Sequence, residues 1–101
     1  MSASLTVIWW RDIPAQVVAN NDAGAHRAVL SDRFQEAIDR AAVRARLVGT
    51  DEYLDQWRRE GRACGNDLAA EATTEAGRLE SAYPDARLRA LAAAGGAEAT
   101  A

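Results

Sequence analysis

One hundred and one residues carrying a net charge of −3 make room for one domain and exclude a large enclosed active site with its own lid. Alanine supplies 24 of the 49 apolar residues, which leaves 25 larger ones for a core; the acidic balance argues against a general nucleic-acid binder. A single cysteine excludes an internal disulfide, and a single histidine excludes a histidine-rich metal site.

The first thirty residues read as sheet. Leu5, Val7 and Trp9 fall on one face of a first strand, and Thr6, Ile8 and Trp10 on the other. Both faces are bulky, as for a strand covered on both sides or an inner strand whose second tryptophan projects into a shallow cleft. The run is six residues long and ends at Arg11-Asp12, far short of the ~20 a membrane helix needs. It also lacks the basic start of a signal peptide, so the expected location is cytoplasmic. Pro14 interrupts the sheet pattern, Ala15 to Ala19 forms a second strand, and Asn20 to Gly24 has the composition of a turn. His26 to Leu30 is a weaker third strand.

The remainder reads as helix. Ser31 caps a helix whose stripe of Phe34, Ile38, Ala41, Ala45 and Val48 runs to a stop at Gly49. Thr50 opens a shorter helix in which Tyr53 and Trp57 are four apart. Gly61 to Gly65 is a break, and Asn66 caps a third helix with a stripe of Leu68, Ala72, Ala76, Leu79 and Tyr83. Asp85 to Leu91 forms a last short helix. The expected fold is α+β, a two- or three-stranded antiparallel sheet packed by three main helices. Residues 1–91 form the single domain and 92–101 a flexible tail.

Few residues recommend themselves for chemistry. Trp10-Arg11-Asp12, with Gln16 nearby on the second strand, combines a large apolar surface with a rigid guanidinium fork. It reads either as a core tryptophan with local turn contacts at Arg11-Asp12, or as an edge that receives a partner chain or a small anionic group. Arg33, Arg40 and Arg44 lie on nearly one side of the first long helix, where they suit an acidic partner or form a solvated face. Tyr53, Trp57, Arg58, Arg59 and Arg62 form an aromatic–arginine group that equally reads as a helix anchor. Cys64 and His26 form a nucleophile–base pair by residue type alone, and Asp67, Glu71 and Glu75 are one helical turn apart. Isolated-chain catalysis is not expected; no metal or cofactor is strongly implied, and self-association of alanine-rich helices or an open sheet edge is a further option.

The segment Thr6–Val17, with its Trp-Arg-Asp-Ile-Pro core, and the helix Leu30–Ala42, with Arg33-Phe34 and Ala37-Ile38-Asp39, resemble a small bacterial family labelled virulence factor. The likeness runs from about Leu5 to Leu91 and includes Tyr53-Leu54-Asp55-Gln56-Trp57. No established catalytic residues come with it. A related domain in larger virulence regulators is joined to an Nfu-like region and helical repeats, which implies an accessory or adaptor role near iron–sulfur or one-carbon metabolism. The expectation is a bacterial protein partner bound through Trp10, Arg11, Asp12 and Gln16, aided by Arg33 and Arg40. The alternative is a subunit that binds a small anionic ligand or cofactor in a Trp/Arg-lined pocket.

Overall fold

A computed structural model describes residues 3–98. β1 (Ala3–Trp10), β2 (Ile13–Asn21) and β3 (Gly24–Val29) form an antiparallel meander. Helix α1 (Asp32–Arg44) and a five-residue α2 (Asp51–Asp55) follow, then β4 (Trp57–Cys64), α3 (Leu68–Ala82) and α4 (Asp85–Ala93). The sheet order is β3-β2-β1-β4, so the apolar β1 is indeed an inner strand.

The α+β class holds, but the two- or three-stranded sheet does not: there are four strands and four helices, three of the helices long. The error lies at residues 57–64, expected as helix and then a glycine-containing break. They pair antiparallel with β1 along its whole length, from Trp10 opposite Trp57 to Ala3 opposite Cys64. Charged residues occupy both faces of this edge strand, as edges that resist further pairing commonly do, and that erases the alternation by which a strand is read. A Cβ at Gly61 would stand 3.6 Å from Thr6 Oγ1, an ordinary contact, so the pairing does not require glycine there.

Asn21 closes the β2–β3 turn through its side chain, with Oδ1 accepting from the backbone N–H groups of Ala23 at 2.8 Å and Gly24 at 3.1 Å. A bulge between Ile8 and Trp9 leaves Ala15 without a partner on β1; its carbonyl instead accepts from Leu30 N–H at 3.2 Å.

Leu5, Val7, Val17 and Ala19 share the face against which α3 and α1 pack, with Phe34, Ile38, Ala41, Ala72 and Leu79 completing the core. The first helix stops at Arg44, short of the expected Val48. Arg46 takes φ 62° and turns the chain, so Leu47 returns to the core while Val48 remains exposed. Asp67, rather than Asn66, caps α3 by accepting from Ala70 N–H. Helices α1 and α4 run parallel: Arg33 pairs with Asp85 near their starts, and Arg44 and Ala93 line one groove at their ends.

Candidate functional site

Arg11 and Asp12 form the whole connection between β1 and β2, and Arg11 takes φ 52°, a left-handed conformation uncommon for a residue with a Cβ. Three remote segments hold it there. Arg11 N–H donates to the Gln56 carbonyl (3.1 Å) and Asp12 N–H to the Gly96 carbonyl (2.9 Å). The Arg11 guanidinium donates to Gln56 Oε1 (3.1 Å) and to the Gly95 carbonyl (2.9 Å) while lying over the Trp10 ring. Asp12 accepts from Glu98 N–H and lies 3.5 Å from the Arg58 guanidinium, which also donates to the Arg11 carbonyl.

Trp10 itself is fully buried. Its indole N–H donates to the Tyr53 carbonyl at 2.9 Å, and its ring is tilted against that of Tyr53. It therefore acts on a surface only through Arg11, which stacks on it. Gln16 lies elsewhere, opposite Ile8 and Val29 in the sheet, where its side chain accepts from Arg27. The structure joins Trp10, Arg11 and Asp12 and leaves Gln16 apart.

Arg33 belongs to a second centre. It pairs with Glu80 (3.0 Å) and Asp85 (3.2 Å), donates to the carbonyls of Glu80 and Tyr83, and lies over Phe34. Burial raises the Glu80 pKa, but hydrogen bonds from the Ser31 N–H and hydroxyl, together with Arg33, outweigh it and hold that carboxyl below its ordinary range. Arg40 is exposed and, among the described residues, takes part in no ion pair. It lines the α1–α4 groove with Arg89, a residue that sequence reading passed over. The i,i+3 pair Leu88 and Leu91 is the signal that α4 turns toward α1 and places Arg89 beside that seam.

An aromatic row links the two centres. Tyr83 stands edge-on to Trp9 and to Phe34, with both centroid separations 6.2 Å. An arginine covers each ring of the row: Arg58 over Trp9 at 5.1 Å, Arg87 over Tyr83 at 4.1 Å, and Arg33 over Phe34 at 4.6 Å. Phe34 and Tyr83 are themselves buried, so the row shows mainly its arginines to solvent; arginines stacked on aromatics with local ion pairs are a composition that protein-interaction surfaces use. Trp57, expected beside Tyr53 on one helix, reaches it from β4 in an edge-on contact of 6.3 Å.

The other candidates are separated or already engaged. His26 and Cys64 lie on β3 and β4, the opposite edges of the sheet, so three strand spacings of roughly 4.8 Å keep them out of hydrogen-bond reach. The Cys64 thiol donates to the Gly65 carbonyl. Of the carboxylates expected one turn apart, Asp67 caps α3 and Glu75 is buried in a two-bond pair with Arg78. That hydrogen bonding lowers the Glu75 pKa, more than burial raises it. No group of three or more His, Cys, Asp or Glu among the described residues is arranged to hold a metal ion. Nor is any helix among them long and apolar enough to cross a membrane.

Residues expected to form a tail contribute to the Arg11–Asp12 turn. Helix α4 runs to Ala93, and the backbone of Gly95, Gly96 and Glu98 bonds to that turn; 99–101 lie outside the described residues. The double glycine was the available signal, since paired positive-φ residues commonly close a helix.

No curated protein and no solved structure matches the chain. Residues 8–92 match the family described as virulence factor, a span that contains the Arg11–Asp12 turn, the Arg33 centre and the aromatic row, but not the Gly95, Gly96 and Glu98 that bond to the turn. The chain belongs to the virulence factor family.

Proposed function

We propose that the chain is a cytoplasmic accessory or adaptor domain that binds a bacterial protein partner through its arginine–aromatic surface. The observation that carries this reading is the row of Phe34, Tyr83 and Trp9, each covered by an arginine. A chain of this length would be expected to hold about one or two such stacked pairs, and the described residues hold four, counting Arg11 over Trp10. Stacking fixes long side chains before a partner arrives and so lowers the entropy cost of ordering them. Arg11 and Asp12 present the edge of this surface, Trp10 supports it from beneath, and Arg33 and Arg40 extend it along α1. Gln16, bonded to Arg27 and apart from this edge, would add a separate contact from the sheet. A setting near iron–sulfur or one-carbon metabolism belongs to this reading through the family resemblance.

The alternative, an anionic ligand in a Trp/Arg-lined pocket, has its nearest counterpart in a 200 Å³ groove lined by Trp9, Arg62 and Arg78. Both arginines there already bridge Glu75, so an anion would find no spare cation, and the partner reading is favoured.

Affinity purification from the native organism tests it, comparing wild type with an Arg11→Ala/Asp12→Ala variant shown by circular dichroism to be folded. The expected result is a discrete partner retained by wild type and lost by the variant. Equal recovery would refute the assigned edge, and no reproducible partner with wild type would refute the adaptor reading.

A further inference from the structure

Among the described residues, three of the four exposed large apolar side chains belong to consecutive pieces of the chain: Val43 on the last turn of α1, Val48 in the loop after it, and Leu54 on α2. Val43 is also a divide between two grooves. On one flank it borders a 390 Å³ groove whose cations are Arg40, Arg44 and Arg89, above the small floor of Ala92 and Ala93. On the other it borders a 330 Å³ groove that holds Asp39, Val48 and Tyr53, and α2, which supplies that Tyr53, carries the exposed Asp51 and Asp55 on its outer side. Asp39 raises the Tyr53 pKa through its charge, though less than burial does, which agrees with its place on that flank. None of these six charged residues takes part in an ion pair among the described residues, although every arginine and acid of the aromatic row except Arg11 does.

A surface with cations on one flank, anions on the other and an apolar ridge between them is its own complement. Rotation by half a turn about an axis through Val43 places each arginine flank on the acidic flank of a second copy. It also sets Val43 of one copy against Val43 of the other, and carries Val48, on the acidic flank, toward the Ala92 and Ala93 floor of the partner's arginine flank. A separate acidic partner would cover the arginine flank and leave Asp39, Asp51 and Asp55 facing solvent. From this we infer that the C-terminal end of α1, the loop to α2, and the end of α4 form a two-fold interface between two copies of the chain. The inference does not use Arg11, Asp12, Arg33 or Arg58, and it meets the proposed partner surface only at Arg40.

Charge reversal with exchange tests it. Sedimentation over a concentration series is expected to show wild type as a dimer that weakens as salt is raised. Arg44→Glu/Arg89→Glu makes both flanks acidic, and Asp51→Arg/Asp55→Arg makes both basic, so each variant alone is expected to be monomeric. Mixed one to one, they are expected to re-form a dimer, because every flank then meets its opposite; this recovery also shows that both variants are folded. A wild type that stays monomeric up to about 1 mM would overturn the proposal. So would either variant remaining dimeric alone, or a mixture of the two folded variants that fails to associate.

Discussion

Replacing Gly96 with alanine is expected to destabilise the protein far more than the same change one residue earlier. Gly96 has φ 94°, and a Cβ there would stand 2.8 Å from Trp10 Cζ3 and 3.2 Å from Cε3. Carbon atoms rest at about 3.5–4.0 Å, so the methyl group intrudes by roughly 0.7 Å or more. The indole cannot move away easily, being fully buried, bonded to the Tyr53 carbonyl and tilted against the Tyr53 ring. Overpacking of this kind costs about 1–3 kcal/mol, and the disfavoured backbone about 1–3 kcal/mol more. At roughly 4–8 °C per kcal/mol, even the lower sum of about 2 kcal/mol lowers the melting temperature by about 8 °C or more. Gly95 has φ 76°, but its Cβ would meet Ala45 and Arg11 at 3.5 Å, which is ordinary contact, so backbone strain alone operates there. Thermal unfolding followed by near-ultraviolet circular dichroism reads both the midpoint and the packing of the tryptophans. If Gly96→Ala melts within about 2 °C of wild type, or no lower than Gly95→Ala, residues 95–98 do not hold Trp10 as described.

The two adjacent tryptophans are expected to respond differently to phenylalanine. Trp9 Nε1 is buried without a hydrogen-bond partner, so Trp9→Phe loses ring area but removes an orphan donor that costs about 1–3 kcal/mol, for a small net change. Trp10→Phe loses the bond to the Tyr53 carbonyl as well as core volume, and is expected to cost at least about 2 kcal/mol more in urea unfolding. Glu75→Gln is expected to cost about 1–3 kcal/mol at pH 7 by loss of its charged bonds to Arg78. Because the Glu75 pKa is lowered in the folded protein, its contribution is fully present above the ordinary carboxyl value near 4.3. It disappears as pH falls through the lowered folded value. The gap between wild type and Glu75→Gln is therefore expected to close in acid; a gap independent of pH from 7 to about 2.5 would refute the assignment. Arg33→Ala removes the fork that ties α1 to Glu80, Tyr83 and Asp85, with an expected cost of about 1.5–3 kcal/mol; Arg33→Lys is expected to recover only part.

The meander and the long helices were legible because their signals are local. Val17 and Val18 lie between turn residues, and Phe34 to Ala41 repeats at helical spacing. The fourth strand was hidden because Trp57–Cys64 is specified by the free edge of β1, a condition that no window of eight residues contains. Tyr53 and Trp57, four apart, satisfy a helical pattern, yet they meet from different elements. Trp10, Arg11, Asp12 and Arg33, singled out by residue type, all make long-range contacts. Their arrangement was not legible. The Phe34–Tyr83–Trp9 row draws on α1, the end of α3 and β1, and no spacing along the chain announces it. Trp10 looked like a surface group because an exposed and a buried tryptophan read alike until Tyr53 and Gly96 close over it.

The strand order also sets the sequence in which the fold can be assembled and taken apart. β1, β2 and β3 are joined by tight turns and can pair as soon as their residues meet, whereas β4 must cross back past α1 and α2 to reach β1. The bonds from residues 95–98 to the Arg11–Asp12 turn span more than eighty residues and carry the largest loop-closure cost among the described residues. That closure over the turn, rather than the turn itself, is thus expected to be secured late and released early. Hydrogen exchange at the Arg11 and Asp12 amides, compared with that at Val7 in the centre of β1, would show the closure opening while the sheet behind it stays intact.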